Sequence, residues 1–580
     1  FMLTSLSSCL SARAPSQPLR FEAPLARLRQ RLAARKPVFQ ALIAKYLVGN
    51  GHRLSLKSVP DVGLEQEIAR KEEAELAAVR SRLTEAELAQ LVEETRALKE
   101  RQEAEDPPEK LALIPSLAMS DLDRQARNIP TTVGHEREAS VLRHELPTNG
   151  VLYADVGLDL RVVPWDLLPL VPLFCRCLTE MGTSTMDDVA LSRFVQTHTG
   201  GLYASYSTAQ KHSADGNTVP ELDLVSNLFL RGKCTYAKSR ELLGTMAQVL
   251  LDTRLDNKPK FLQMVLETKA RLEASVQSSG HSFAAGRVGA RYSGVEWVQE
   301  HMGGIEYLRF VRALAREVEA DWPAVLGKLE RIRSLVTDRR RLVINLSAED
   351  KGLKAAQSAV EEYVLSVPLR GEQAPRHNWA AHMGGLAGAG EGFLVPTQVN
   401  YVAKGGRIYE VGEATSGADA VVARFLRTTW LWDKVRVVGG AYGAMSALSM
   451  QSGVFRYMSY RDPNLADTLA IYDATPAFLR EAARELTPSA LANAVIGMVG
   501  DMDGPLAPDQ KGFAALERHL TGLTDDMRQM RRDQAAPPPA TSAPAVVCLS
   551  PLPVLSCVSL HCLCCRVSLS TACAVVCLSP

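Results

Sequence analysis

The stretch VLYADVGLDL at residues 151–160, followed by WDLLPLVPLFCRCLTEMGT at 165–183, indicates the fold class of the chain. The first string is short and mostly apolar, which predicts a β-strand. The second is a longer apolar run that ends at Gly182, which predicts a buried helix. A strand followed by a buried helix is typical of a domain in which helices pack on a sheet.

Strands and long helices follow one another from about residue 113 to 348, and residues 349–533 repeat the pattern. The mostly hairpin-linked strands predict an α+β fold with two related domains, each a sheet with helices packed on it. The predicted strands are 199–208, 222–233, 341–348, near 393, near 407 and 453–461, and the predicted helices are 235–252, 258–277, 319–334, 350–365 and 418–434.

Residues 64–105 have a different character from these domains. They are rich in Glu, Ala, Arg and Leu and contain neither Pro nor Gly. Thr84 and Glu87 form a capping-box pattern that would start a second helix. The segment therefore predicts a charged helical hairpin that ends at DPPE, 106–109. Before it, residues 22–47 have helical spacing and HRLSLKSV at 52–59 alternates as a strand does.

The composition of the chain excludes several classes of partner. The chain has 580 residues, which predicts about three to four domains. Its 66 basic and 65 acidic residues give a net charge of +1, so nothing points to nucleic acid or an acidic membrane surface as a partner. No apolar run of 18 residues occurs, so we expect no membrane span.

The two ends differ from the middle. Residues 2–21 contain serines and two arginines but no acid, which is the composition of an organelle transit peptide. Residues 534–580 are rich in Pro, Ser and Cys, and their cysteine spacing matches no zinc template. We expect this tail to be disordered or an artefact of translated non-coding sequence. Cys175 and Cys177 are expected to be buried helix residues rather than a redox pair.

The loop WDKVRVVGGAYGAM at 432–445 is the candidate site. Its order is helix, loop, strand, whereas a phosphate loop runs strand, loop, helix, and no GxxxxGK[ST] or GxGxxG occurs. A tight turn that needs glycine, with Arg436 and Tyr442 merely on the surface, is the alternative interpretation. His281, His377 and His382 have no metal-ligand spacing, and HExxH, HxxEH and GxSxG are absent.

Several strings in this chain resemble the C-terminal half of presequence proteases, a branch of the pitrilysin-type zinc metallopeptidases. These strings are LPLVPLFCRCLTEMGT, GHSFAAGR, VPTQVNYV, TWLWDKVRVVGGAYG and SYRDPNL. The resemblance implies four related α+β domains, in two halves joined by a helical hairpin, around a peptide-degrading chamber. It divides this chain into a possible targeting or spurious segment (1–21), the end of an upstream domain (22–63), a hairpin linker (64–112), domain three (113–348), domain four (349–533) and the Cys-rich tail (534–580).

The resemblance also implies chemistry. The family binds zinc through an HxxEH helix, whose Glu acts as general base, and this motif is missing here. An arginine and a tyrosine of domain four contact the scissile peptide in the family, and the match places them at Arg436 and Tyr442. Gly439 and Gly440 would form the substrate-binding turn between them. The implied substrates are short unstructured peptides, including cleaved targeting presequences, and the implied compartment is the mitochondrial matrix or the chloroplast stroma.

Three functional interpretations remain open at this point. The chain is part of a full peptidase, or a non-catalytic half that binds peptides or pairs with a zinc-bearing half, or a fragment without independent function. In each case we expect the 580-residue chain alone to bind no catalytic zinc and to cleave no peptide.

Overall fold

The computed structural model describes residues 2–59, 61–104, 106–220, 223–384, 390–536 and 572–576. The chain divides into two compact units, Phe1–Pro115 and Ser116–Pro580. The larger unit contains every described strand, and the smaller unit is helical wherever it has regular structure.

The first unit consists of short helices followed by a hairpin of two longer ones. The predicted strand at 52–59 is wrong, because these residues have no regular structure. A strand needs a partner for its backbone groups, and the described residues of this unit contain no second strand. The helices are α1 (Met2–Leu10), α2 (Glu22–Ala33), α3 (Val38–Ile43), α4 (Leu64–Arg80), α5 (Glu85–Glu103) and α6 (Pro108–Leu111), with a π-helical turn at Ala44–Val48.

The predicted capping box starts the second helix of the hairpin. The Thr84 amide donates to Glu87 Oε2 at 2.8 Å, and the Glu87 amide donates to Thr84 Oγ1 at 3.3 Å. These two bonds satisfy donors that the first turn of a helix leaves without partners. The two helices predicted from composition and capping are therefore present as α4 and α5.

A six-stranded sheet, called the first sheet, organises the first part of the second unit. Its order is β1-β2-β6-β3-β5-β4, and all neighbours are antiparallel except β2 and β6. Its strands are β1 (Thr132–Glu136), β2 (Ala139–Glu145), β3 (Val151–Asp159), β4 (Leu202–Gln210), β5 (Leu224–Thr235) and β6 (Leu342–Ala348). The helices between them are α7 (Val171–Glu180), α8 (Asp188–His198), α9 (Ser239–Asp252), α10 (Lys258–Gly289), α11 (Gly294–Gly303), α12 (Ile305–Ala320) and α13 (Trp322–Val336).

A five-stranded sheet, called the second sheet, organises the rest of the unit. Its order is β7-β11-β8-β10-β9, with β11 parallel to β7 and antiparallel to β8. Its strands are β7 (Gly390–Phe393), β8 (Tyr401–Arg407), β9 (Gly443–Leu448), β10 (Val454–Tyr460) and β11 (Ala572–Val576). The helices are α14 (Asp350–Ser366), α15 (Gly417–Thr428), α16 (Ala466–Glu485), α17 (Pro488–Met502), α18 (Pro508–Thr521) and α19 (Asp525–Ala535).

The α+β class predicted from the sequence is confirmed. The tail differs from its prediction in one segment, because residues 572–576 form β11 between β7 and β8. Pairing with strands on both sides satisfies the backbone groups of this segment. The remaining predictions for 537–571 and 577–580 lie outside the described residues.

Two helices from beyond the predicted division at residue 348 pack on the first sheet. The core on one face of the first sheet includes Val360 and Tyr363 of α14, and also Trp379. On the opposite face, Leu516 of α18 packs against Leu142 and Phe229. Helices therefore cover both faces of the first sheet, and two of them come from the segment predicted to be domain four.

Within the described residues, every helix is too short or too polar to cross a membrane.

Candidate functional site

The candidate loop lies between a π-helical segment and an edge strand. The π-helical segment is Trp432–Val438, and β9 begins at Gly443. Gly440 has a φ of +80°, a conformation that side chains disfavour. A Cβ atom on Gly439 would lie 2.6 Å from the Val435 carbonyl oxygen. Both glycines are therefore required by the turn that reverses the chain here.

Arg436 and Tyr442 are brought together at the surface by this turn. The guanidinium carbon of Arg436 lies 4.0 Å from the Trp432 ring centroid and 6.0 Å from the Tyr442 ring centroid. The Tyr442 side chain is 66% exposed. Neither the guanidinium nor the phenol donates a hydrogen bond to another described residue. Their donors therefore face solvent and are free to bind a ligand.

Stacking on Trp432 limits the motion of Arg436. A guanidinium over an indole face is held by cation–π attraction of about 0.5–1 kcal/mol at an exposed site. Trp432, Val437 and Val438 are themselves exposed, with 47%, 55% and 73% of their surface accessible. The two donors thus lie within an exposed apolar patch, which we call the loop patch (Trp432, Val437, Val438 and Tyr442).

Tyr442 is the first of three aromatic rings that pack against one another. Tyr460, at the end of β10, meets the Tyr442 ring edge-on with 5.6 Å between centroids. His281 meets Tyr460 in the same manner at 4.8 Å. His281 follows a kink in α10 at Ser279, and burial lowers the pKa of its imidazole. The kinked helix thereby places the His281 ring against Tyr460 of β10, and Tyr460 in turn contacts the Tyr442 ring.

A second turn, at residues 461–464, fixes the glycine loop. The Tyr442 amide donates to the Arg461 carbonyl at 3.2 Å, and Asn464 Nδ2 donates to the Gly439 carbonyl at 2.6 Å. The buried carboxylate of Asp462 accepts from the Asn464 amide and from Thr468 Oγ1. Arg461 itself has a φ of +49°. Tertiary contacts hold this unfavourable conformation, so the loop is defined by the fold rather than by its own sequence.

The site offers hydrogen-bond donors and apolar contact. Arg436 supplies a permanent positive charge and Tyr442 a neutral hydroxyl donor. Such fixed donors stabilise negative charge that develops on an oxygen. Arg436 and Tyr442 can therefore both donate hydrogen bonds to a polar or negatively charged oxygen of a ligand.

No metal site is formed by the described residues, where no three or more His, Cys, Asp or Glu side chains converge. His377 and His382 have structural roles: the His377 carbonyl accepts from Arg161 Nη2 at 2.8 Å, and the His382 ring stacks on Trp165. Cys175 and Cys177 are buried in α7, and burial raises the pKa of both thiols. The interpretation of these two cysteines as buried helix residues is confirmed.

Sequence comparisons agree with the strings quoted above. A family model for the region associated with subfamily C of the M16 peptidases matches residues 59–314, and the model "PreP C-terminal domain" matches residues 390–537. Presequence protease 1 of Arabidopsis thaliana, described as chloroplastic/mitochondrial, is 37% identical over 539 residues, which are 92% of this chain. The chain belongs to the presequence protease family. The mitochondrial presequence protease of Danio rerio is 25% identical over 90% of the chain.

The chain spans about half the length of those relatives, 48% of the Arabidopsis protein and 51% of the Danio protein. Solved structures share its fold. The peptidase M16 inactive domain from Pseudomonas fluorescens superposes with a TM-score of 0.54 at 13% identity, covering 77% of this chain and 98% of that one. A protease from Helicobacter pylori covers 77% of this chain and 99% of its own, with a TM-score of 0.51 at 14% identity.

Sequence reasoning missed three residues of the site. Trp432, Tyr460 and His281 lie in strings that carried the family resemblance, but only the folded chain shows that Trp432 and Tyr460 contact the candidate pair and that His281 contacts Tyr460. Their aromatic character was the available signal. Nothing in the spacing of residues 281, 432 and 460 indicates that they meet.

Proposed function

We propose that this chain forms part of a zinc metalloendopeptidase that degrades short unstructured peptides, including cleaved targeting presequences. The compartment that fits its mitochondrial and chloroplastic relatives is the mitochondrial matrix or the chloroplast stroma. The observation that carries the proposal is the pair Arg436 and Tyr442, held side by side on a loop with their donors free. Gly439 and Gly440 keep the loop backbone where a substrate would lie against it.

In this proposal Arg436 and Tyr442 bind the carbonyl oxygen of the scissile peptide bond. Nucleophilic attack places negative charge on that oxygen, and donors already fixed around it lower the barrier. The loop patch contacts apolar side chains of the extended peptide. The described residues do not fit a zinc site, so the metal of the family belongs to a zinc-bearing half, and this chain alone is inactive.

The test is hydrolysis of a fluorogenic presequence peptide by the chain, with and without a co-expressed zinc-bearing half from a relative. We expect chelator-sensitive activity only in the mixture. Arg436→Ala and Tyr442→Phe should each lower turnover about 10²–10³-fold, because each removes one donor from the oxyanion. Lys434→Ala in the same segment and Tyr203→Phe, an exposed tyrosine of β4, are matched controls that should retain activity.

Unfolding temperatures separate this proposal from the plain-turn interpretation. All four variants should unfold within a few degrees of the parent chain, because none of the changed side chains is fully buried. A loss of thermal stability that accounts for the loss of turnover would assign Arg436 and Tyr442 to the turn alone. Peptidase activity of the chain without a zinc-bearing half would contradict the proposal that the metal comes from that half and the two donors from this chain.

A second function, peptide binding without catalysis, is favoured by the loop patch. Beside Tyr442, this patch contains Trp432, Val437 and Val438. All three are apolar and exposed, which suits contact with a peptide. Anisotropy of a labelled presequence peptide would measure this binding directly. Under the second function, Val438→Asp should weaken binding of the peptide. Addition of a zinc-bearing half should not produce hydrolysis.

A further inference from the structure

A cavity of about 440 Å³ opens at one end of the first sheet, away from the candidate loop. Its walls come from the ends of β3 and β4, the beginnings of β2, β5 and β6, the C-terminal end of α18 and the connection that follows α14. The volume lies within the range of small-molecule sites. Basic side chains dominate its lining: Arg161, Lys211, Arg340, Arg341 and Arg376.

The positive charge of this cavity exceeds its negative charge. Asp159 and Asp223 are the only acids among the described lining residues. Asp223 pairs with Lys211 at 2.7 Å, and Asp159 pairs with both Arg341 at 3.1 Å and Arg376 at 2.7 Å. Arg340 is neutralised by Asp338, which lies outside the lining. Two positive charges therefore remain without a matching carboxylate.

Arg161 carries one of these unmatched charges. Its guanidinium donates to the carbonyl oxygens of His377, at 2.8 and 3.2 Å, and of Leu224, at 3.2 Å. No carboxylate of the described residues lies within ion-pair distance of it. Burial lowers the pKa of this guanidinium, which means that its positive charge is costly in the absence of a counter-ion.

Arg341 supplies a buried donor without a partner. Its side chain is only 10% exposed. Nη1 donates to Asp159 and Nη2 donates to the Ala374 carbonyl. Nε is buried and has no hydrogen-bond partner among the described residues. A buried guanidinium nitrogen without an acceptor is rare, and this one is enclosed by the protein rather than open to the cavity.

The remaining walls restrict the kind of anion. Leu224, Val225, Leu342, Val343 and Leu520 are aliphatic, and no Phe, Tyr or Trp belongs to the described lining. The cavity thus has no ring on which a nucleobase could stack. Several guanidinium groups converge from different elements, which suits the many oxygens of phosphate better than the two of a single carboxylate.

We propose that this cavity binds a compact anion with two or more linked phosphate groups, of which pyrophosphate is the simplest. A phosphate group carries about −1.5 to −2 at pH 7, so one such group already balances the two unmatched positive charges, and the second faces the basic side chains that are paired. The free chain would bind this anion in the gap between the first sheet and the connection after α14. Arg161 and Arg341 donate hydrogen bonds to the carbonyl groups of His377 and Ala374 in the connection after α14. An anion bound by these two arginines would therefore stabilise the connection against the first sheet.

Isothermal calorimetry with the full chain and pyrophosphate tests the proposal. We expect saturable binding that weakens steeply with salt, and a rise in unfolding temperature with pyrophosphate concentration. Lys211→Gln combined with Arg376→Gln should weaken binding about tenfold or more, because two charge-assisted contacts are lost. Both side chains are exposed, so the double variant should fold. Arg240→Gln combined with Lys354→Gln, exposed residues on α9 and α14, is the matched control.

Competing anions identify the source of the phosphate. Equal affinity for ATP and triphosphate would mean that the phosphate tail of a nucleotide is an occupant, which supports the proposed chemistry. Equal affinity for citrate would overturn it, since charge alone would then explain binding. Absence of binding at millimolar pyrophosphate would also overturn it, as would equal weakening in the cavity variant and in the control.

Discussion

Gly440 makes the turn of the candidate loop possible, and its substitution tests how tightly the loop is defined. Its φ of +80° is disfavoured for a residue with a Cβ atom by about 1–2 kcal/mol. We expect Gly440→Ala to lower the free energy of unfolding by about this amount, measured by urea denaturation. With a zinc-bearing half present, the same variant should lose turnover, because Arg436 and Tyr442 lie on either side of residue 440.

Gly244, in the middle of α9, is the matched control for this substitution. Its backbone is helical and a Cβ atom there meets nothing within 4 Å. Gly244→Ala should therefore stabilise the chain by about 0.5–1 kcal/mol. A destabilisation of equal size at both positions would contradict a special role for the backbone conformation at Gly440.

The residues of the site could be named from sequence only in part. Arg436 and Tyr442 followed from a family string rather than from spacing, since spacing alone equally suited a surface turn. Their freedom from other partners and the stacking of Arg436 on Trp432 depend on the π-helical segment. A π-helix changes which side chains share a face, and no periodic pattern predicts it.

At the scale of elements, sequence patterns predicted α9, α13, α14 and the strands of strongest hydrophobicity, whereas α12 was not predicted and the helix predicted at 258–277 extends to Gly289 as α10. The strands β3, β5 and β6 lie within one to three residues of their predictions. The strand β9, GAMSAL, was missed because small residues give no β-propensity signal. The segment 52–59 shows the opposite error, because a strand was predicted there and none is formed. Its alternation of apolar and polar residues is a local property, whereas strand pairing depends on residues far away in the sequence.

Helix α10 joins the two sheets through a buried cluster of charges. Arg287 is 2% exposed and contacts Glu300 at 3.1 Å and Glu306 at 3.0 Å, while its Nε contacts Glu391 of β7 at 3.0 Å. We expect Arg287→Met to lower the free energy of unfolding by about 3–5 kcal/mol, because it leaves the buried carboxylate of Glu300 without an ion-pair partner. Guanidinium chloride is unsuitable for this comparison because it screens charge, so urea denaturation is the measurement.

An exposed ion pair on α12 gives the control for that experiment. Arg312 pairs with Glu273 at 2.8 Å, and its side chain is 53% exposed. Arg312→Met should cost less than about 1 kcal/mol, as exposed pairs generally do. Similar losses for the two variants would mean that the Arg287 cluster does not hold α10 against the second sheet.

At the scale of the whole molecule, His212 links parts of the chain that are far apart in sequence. Its amide donates to the Thr521 carbonyl of α18 at 2.8 Å. Its ring lies 3.1 Å from Gln451 Nε2 and 3.4 Å from Arg531 Nη2 of α19. Burial, followed by the charge of Arg531, lowers the pKa of this imidazole from 6.5 to about 4. The ring is therefore neutral in the folded protein at pH 7.

This shift predicts a dependence of stability on pH. Between pH 6.5 and about 4 the unfolded chain binds a proton at His212 and the folded chain does not. Folding stability should therefore fall as the pH is lowered through this window. We expect His212→Gln to reduce that fall, measured as urea midpoints at pH 7, 5.5 and 4.5. His135→Gln, an exposed residue of β1, should leave the fall unchanged, and an equal effect of both variants would contradict the prediction.

The position of β6 between β2 and β3 has a consequence for the newly made chain. The neighbours of β6 end at Glu145 and Asp159, whereas β6 itself begins at Leu342. At about 5–20 residues per second, a ribosome takes roughly 10–40 s to make the intervening chain. During that interval the facing edges of β2 and β3 are open to other proteins. We therefore expect these edges of the nascent chain to be open to aggregation, and to chaperones, until residue 348 has left the exit tunnel.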